Sequence, residues 1–323
     1  MKKLKISAIL LFTILLNSQM ASAQFGDLLN KAGKAVTSKG AQALGLDKIL
    51  KEPEAISTSF EDVNQEGKEM PEFESSAKYL PFSTLAKNGD DGYVLQPGHF
   101  EMINKSYCLK AGTYAPSAGD GYMYAPVLGK KKDIVTAILK SAEKHPEVQQ
   151  TDIQMLLWTI IAKTKFIDYS GPVKETALRL LTAKQILQLE GGALGILPID
   201  VMAKAKSSMP PAIQKIFEAE NNIRQLVSSG NYTYAEFEKY AIMAGMAPVR
   251  ADIPSGIWTL HPDGYYIRYY PSGYSQTKVQ IYVPESLIKD RGSKKLIYDA
   301  TDDIACPANT GSQRLAQTNE PIK

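Results

Sequence analysis

Cysteine is nearly absent from this sequence. The 323 residues contain two, Cys108 and Cys306, too few for a multi-disulfide scaffold and without the spacing of a zinc cluster. Histidine is as scarce, and His99, His145 and His261 are scattered, so neither a metal site nor a cofactor is expected. Long apolar runs are missing too: 6–16 and 153–162 both fall short of the ~20 residues that a membrane-spanning helix needs. Charge of one sign is also lacking. The formal +3 rests on Lys2, Lys3 and Lys5, and without those three the chain holds 34 basic against 34 acidic residues. Such a balance gives no reason to expect nucleic acid or an anionic membrane as partner.

What is present begins with an export signal. Lys2, Lys3 and Lys5 form a charged start, residues 6–16 an apolar stretch, and Ala21-Ser22-Ala23 a small-residue cleavage site. Residues 1–23 are therefore expected to be a signal peptide, and the protein to be exported to the periplasm, the cell surface or the medium. Residues 24–75 read as a weak amphipathic helix broken by Gly33 and Gly40, then an acidic linker with one short strand near Ile56–Phe60. From Leu80 the texture is β-like, with Asp91-Gly92-Tyr93, Asp120-Gly121-Tyr122, Asp263-Gly264-Tyr265 and Ser272-Gly273-Tyr274 as turn signals.

Residues 131–245 read as helical. One run starts at Asp133 and is ended by Pro146. The next is capped by Thr151 or Asp152 and reaches Lys165; a third runs from Pro172 to Leu189. Two more are expected over 211–228 and 234–243. Strands follow at 257–260, 265–270 and 277–283. The predicted class is α+β: a β-rich N-terminal part, a helical middle and a small antiparallel C-terminal sheet. The boundaries are a main domain over 76–250, a small β-sheet domain over 251–300 and a flexible, polar tail over 301–323.

Two residues carry the functional argument. Cys108 ends the strand-like run from His99. Gln154 sits in Ile153-Gln154-Met155-Leu156-Leu157-Trp158-Thr159-Ile160-Ile161, apolar on nearly every side and so expected to be buried. A buried glutamine must satisfy a carbonyl and two N–H donors or cost a few kcal/mol. Either a hydrogen-bond network holds it, or its amide is consumed by reaction.

The pair Tyr107-Cys108 on a strand, followed by Ile153-Gln154-Met155-Leu156-Leu157-Trp158 on a helix, resembles the signatures of bacterial surface thioester domains. These are an aromatic–Cys pair and an apolar-Gln-x-x-apolar-Trp motif. The resemblance covers roughly 93–166. It implies an internal thioester between Cys108 and Gln154, used for covalent attachment to an amine or hydroxyl of a protein or glycan partner. Under it, Tyr107 and Trp158 would shield the bond and His99 would carry the proton.

Three other readings stay open. A Cys108–Cys306 disulfide would make the chain an exported binding module without chemistry. Cys108 with His261 as base would make a cell-wall hydrolase, although Leu109 to Pro116 reads as strand and turn and not as the helix start that lowers a thiol pKa. Tyr265, Tyr266, Tyr269, Tyr270, Tyr274 and Tyr282 could instead form an aromatic binding face.

Overall fold

The computed structural model describes residues 53–65, 77–89, 92–190 and 211–322. The expected signal peptide and the weak amphipathic helix around Gly33 and Gly40 lie outside the described residues. The chain divides into two compact units, one of 1–52 and 197–214, the other of 53–196 and 215–323. The second holds the large sheet and the candidate site.

Its strands are β1 (Leu80–Pro81), β2 (Tyr93–Val94), β3 (Gly98–Cys108), β4 (Thr113–Tyr114), β5 (Tyr122–Pro126), β6 (Ile242–Met243), β7 (Thr259–Leu260), β8 (Tyr266–Ser272), β9 (Gln276–Val283), β10 (Ile297–Tyr298), β11 (Asp303–Pro307) and β12 (Leu315–Pro321). The helices are α1 (Lys132–Lys144), α2 (Gln150–Ile161), α3 (Gly171–Leu180), α4 (Ala183–Glu190), α5 (Pro211–Ser229), α6 (Tyr234–Ala241) and α7 (Glu285–Arg291). The fold is α+β. One eight-stranded sheet runs in the order β5-β11-β12-β3-β9-β8-β7, with β1 parallel to β3 and the other pairs antiparallel. It nearly closes on itself: the Tyr124 N–H donates to Thr259 Oγ1 at 3.3 Å, joining the two end strands.

The long strands alternate as a one-sided sheet requires. Thr277, Val279, Ile281 and Val283 of β9 are buried, register opposite Asn104, Met102, Phe100 and Gly98 of β3, and face Ile267 and Tyr269 of β8. The helix α2 adds Ile153, Leu156, Leu157, Trp158 and Ile160, all at most 2% exposed. Each aliphatic one stabilises the fold by about 1.5–3 kcal/mol through burial. Thus α2 is buried on nearly every side, as its composition predicts.

Several expectations need correction. Strands β7 to β9 are antiparallel but do not form a separate small domain, because β9 pairs with β3 along eight residues from Gly98 to Lys105. Residues 301–323 are no flexible tail. They supply β11 and β12, which lie between β5 and β3 in the sheet, and Ile304 to Pro307 and Leu315 to Asn319 are buried. The strand expected near Ile56 is absent, and a 3₁₀ turn covers Phe60–Asp62.

The helices also shift in detail. The run expected over 172–189 breaks at Leu181 into α3 and α4. The helix carrying Gln154 begins at Gln150 and stops at Ile161, short of Lys165. There Lys163 turns to φ 59°, and the buried Arg224 of α5 donates to the Ala162 carbonyl at 2.6 Å, satisfying a helix-end acceptor.

Candidate functional site

The strand β3 outruns its partner β9. Pairing between them stops at Lys105–Gln276, whereas β3 continues to Cys108 against β12, with Leu315 opposite Cys108. On the β12 side, the Leu109 N–H reaches the Arg314 carbonyl at 3.0 Å. On the vacated side, Cys108 presents a buried N–H and C=O that need partners. Gln154 provides both. Its Oε1 accepts from the Cys108 N–H at 2.7 Å, and its Nε2 donates to the Cys108 carbonyl at 3.1 Å. The side-chain amide thus replaces one residue of a neighbouring strand. One helical turn earlier, Gln150 Nε2 donates to the Ser106 carbonyl at 3.1 Å and the Ser275 carbonyl at 2.8 Å. Two glutamines at i and i+4 therefore fasten α2 to the open edge.

The chain then turns sharply away. Gly112 has φ +70°, and a Cβ there would lie 2.8 Å from Ile216 Cα, so only glycine lets the backbone leave Cys108 along this path. The segment after Cys108 is turn and strand, as expected, with β4 following at Thr113.

Cys108 and Gln154 are 0% and 2% exposed. Burial, with the charge of Glu238 adding to it, pushes the Cys108 thiol well above its ordinary range. Trp158, one turn beyond Gln154, is fully buried. Its ring stacks on Tyr234 (5.8 Å between centroids, 25° between planes) and tilts against Tyr274 at 6.5 Å. Its indole N–H has no acceptor among the described residues. Tyr274 is tied to the strand of Cys108, because Ser106 Oγ donates to its carbonyl at 3.1 Å. The hydroxyls of Tyr234 and Tyr274 lie 3.0 Å apart, and that of Tyr274 donates to Glu238 Oε1.

The structure thus unites Cys108, Gln154 and Trp158 and separates the other expected residues from them. Tyr107 points to the opposite face, since side chains alternate along a strand. Burial raises its phenol, and the neighbouring charges are Glu320 and Glu143. The aromatic rings that pack on Trp158 are those of Tyr234 and Tyr274. His99 lies nine residues back along β3, about 30 Å at ~3.3 Å per residue. There it stacks on Tyr282 at 4.6 Å, and partial burial and Arg268 lower its pKa. It is not a proton carrier for Cys108.

His261 is engaged elsewhere. Its Nδ1 accepts from the Asp263 N–H at 3.1 Å, its Nε2 lies 3.7 Å from Asp303 Oδ1, and its ring stacks on Tyr265 at 4.2 Å. With Tyr124, Lys140 and Asp299 these residues line a cleft of about 420 Å³. Neither nitrogen meets Cys108, so the Cys–His pair does not assemble.

The disulfide does not form either, and both cysteines are free and buried. Cys108 pairs with Leu315, and Leu315 with Ala305. Cys306 therefore sits two strands away on the opposite face. Two strand spacings come to about 10 Å, beyond the ~7 Å Cα limit for a disulfide.

The tyrosines of 265–282 divide in the same way. Tyr265 and Tyr269 are buried, while Tyr266 stacks on Tyr282 at 6.1 Å. Among the described residues no cluster of three or more His, Cys, Asp or Glu is placed to hold a metal ion. No helix among them is long and apolar enough to cross a membrane.

Sequence reasoning missed Gln150, Tyr234 and Glu238, and named Tyr274 only in a turn signal and as part of a binding face. The spacing signal was there: Gln150 and Gln154, like Tyr234 and Glu238, stand four apart on one helix face. Fold and site together define an α+β protein with a nearly closed antiparallel sheet and a thiol–carboxamide pair at the end of a sheet strand. No family model, no curated protein and no solved structure matches the chain.

Proposed function

We propose that this is an exported protein in which Cys108 and Gln154 condense to an internal thioester, used for covalent attachment to a nucleophile on a protein or glycan partner. The observation that carries the reading is the seating of the Gln154 carboxamide on the main chain of Cys108 itself. The same two hydrogen bonds would satisfy an inert core glutamine. Three further features support chemistry.

The residue chosen as the seat is a cysteine. The Cys108 N–H donates to Oε1, so it would stabilise the negative charge that grows on this oxygen as sulfur adds to Cδ, in the manner of an oxyanion hole. The aromatic cover of Trp158, Tyr234 and Tyr274 would keep water from the acyl carbon until a partner arrives.

The reaction balances without an oxidant. Sγ–H adds to Cδ, the Cδ–Nε2 bond breaks, and ammonia leaves with the thiol proton. An amine or hydroxyl of the partner then attacks the acyl carbon, leaving an amide or ester on Gln154 and a thiol on Cys108. Capture of a biotinylated primary amine by the full chain tests this. Label should appear on the peptide containing Gln154 and vanish in Cys108→Ala. Label that persists in Cys108→Ala would contradict the reading.

A further inference from the structure

The buried thiol poses a problem that the thioester reading leaves open. Ring closure must take a proton from Sγ and deliver one to Nε2, and ring opening must protonate sulfur as it leaves. Among the described residues the Cys108 thiol makes no hydrogen bond of its own. We infer that the hydrogen-bonded chain Tyr234–Tyr274–Glu238 handles these protons, with Glu238 as the positioning carboxylate that holds and polarises the two phenols. This rests on the thioester reading and deepens it.

The geometry is specific. Tyr234 and Glu238 occupy i and i+4 of α6, whose start is fixed by a capping box between Thr233 and Glu236. Tyr274 stands at the β8–β9 turn between them, with its hydroxyl bonded to both. Each anchor of this chain is also an anchor of the reacting pair. Trp158, on the helix of Gln154, packs against both phenol rings. Ser106, two residues before Cys108 and on the same face of β3, holds the Tyr274 carbonyl. Gln150 bridges Ser106 to Ser275, beside Tyr274.

The charge of Glu238 is also felt at the Cys108 thiol, and burial raises Tyr234 to about 12. A phenol raised in this way stays protonated and passes protons along the chain, while Glu238, acting through the Tyr274 hydroxyl, holds the two phenols in line. In closure the thiol proton enters the chain as the C–S bond forms, and a proton returns to Nε2 as ammonia leaves. In opening by an amine, the N–H proton enters and sulfur receives one. No redox partner is required.

The test uses the full chain, with Glu238→Gln and Tyr274→Phe beside wild type. Ring content is read as loss of one ammonia by intact mass, and ring opening as the rate of methylamine addition against pH. Wild type should carry the ring. Both variants should close and open it about 10²-fold more slowly, the lower end of what positioned proton transfer contributes. Glu238→Gln should flatten the pH profile of opening, and Glu238→Asp should restore part of the rate; a purely structural role would move neither. Tyr274→Phe keeps the ring packing, so it reads the hydroxyl even if Glu238→Gln folds poorly. A wild-type ring with both variants at the wild-type rate overturns the relay alone. A wild type without the ring overturns the relay and the thioester together.

Discussion

Gln154→Glu, placed in a Cys108→Ala background to exclude any covalent bond, tests how the amide is held. In the parent the amide accepts from one Cys108 group and donates to the other, at 2.7 and 3.1 Å. A protonated carboxyl can do both. An ionised one cannot donate and sets a negative oxygen against the Cys108 carbonyl in a site 2% exposed. An orphaned buried acceptor costs about 1–3 kcal/mol, and more when charge is involved, so a penalty of about 3 kcal/mol is expected.

At 1.36 kcal/mol per unit this raises the folded-state pKa of the introduced carboxyl by roughly two, from about 4.3 towards 6.5. A carboxyl with a raised folded pKa contributes stability that is full below about pH 4.3 and lost as pH rises through about 6.5. Against the parent, the variant should melt at nearly the same temperature at pH 4 and roughly 6–12 °C lower at pH 8, at 2–4 °C per kcal/mol for a chain of this size. Melting followed by far-UV circular dichroism at both pH values reads this directly. An equal difference at pH 4 and pH 8, or none at pH 8, would mean that the amide is not held by both Cys108 main-chain groups.

Two other outcomes follow from the packing. Arg314 is buried and its guanidinium donates to the carbonyls of Leu109, Thr58 and Ile56 and to Glu54, so Arg314→Ala orphans several acceptors at once. With three carbonyls left unpaired at about 1–3 kcal/mol each, it should cost at least about 3 kcal/mol, seen as a lower urea midpoint at an unchanged slope; a change below about 1 kcal/mol, the scale of a single ordinary hydrogen bond, would contradict that role. Burial would raise the Asp299 carboxyl, but Lys140, Thr301 and Asn319 outweigh it and hold the group below its ordinary value. Its stabilisation is therefore present above about pH 4 and lost as pH falls through the lower folded pKa. Asp299→Asn should lower stability at pH 7 and flatten the acid slope below pH 4, measured by thermal melts across pH 2–7; an unchanged slope would show that Asp299 is not responsible.

The parts of the fold that were legible in the sequence are those set by local pattern. The strand ending at Cys108, the apolar helix of Gln154 and the hairpins at 257–283 all follow from periodicity and turn residues. The burial of Gln154 was legible for the same reason. What its amide touches was not, because it depends on β9 beginning only at Gln276, more than a hundred residues away. The polar 301–323 segment misled for a related reason. Asn319 is fully buried because its side chain bonds Asp299 and the Ala300 N–H, and its main chain bonds Glu143 and Tyr93. A polar strand whose partners are distant in sequence looks like a solvated tail. Cys306 misled by even count alone, since parity on the sheet places it on the other face from Cys108. His99 and His261 drew attention as titratable residues, but strand length and sheet order place both away from the thiol.

A bond between Cys108 and Gln154 would be read from the intact mass of the full chain, purified without reductant or strong nucleophile. The chain should be lighter by one ammonia, with the mass deficit removed by Cys108→Ala and replaced by one added methylamine on exposure to that amine. An undiminished mass, with a free thiol at Cys108 and an intact glutamine at Gln154 in the peptide map, would contradict it.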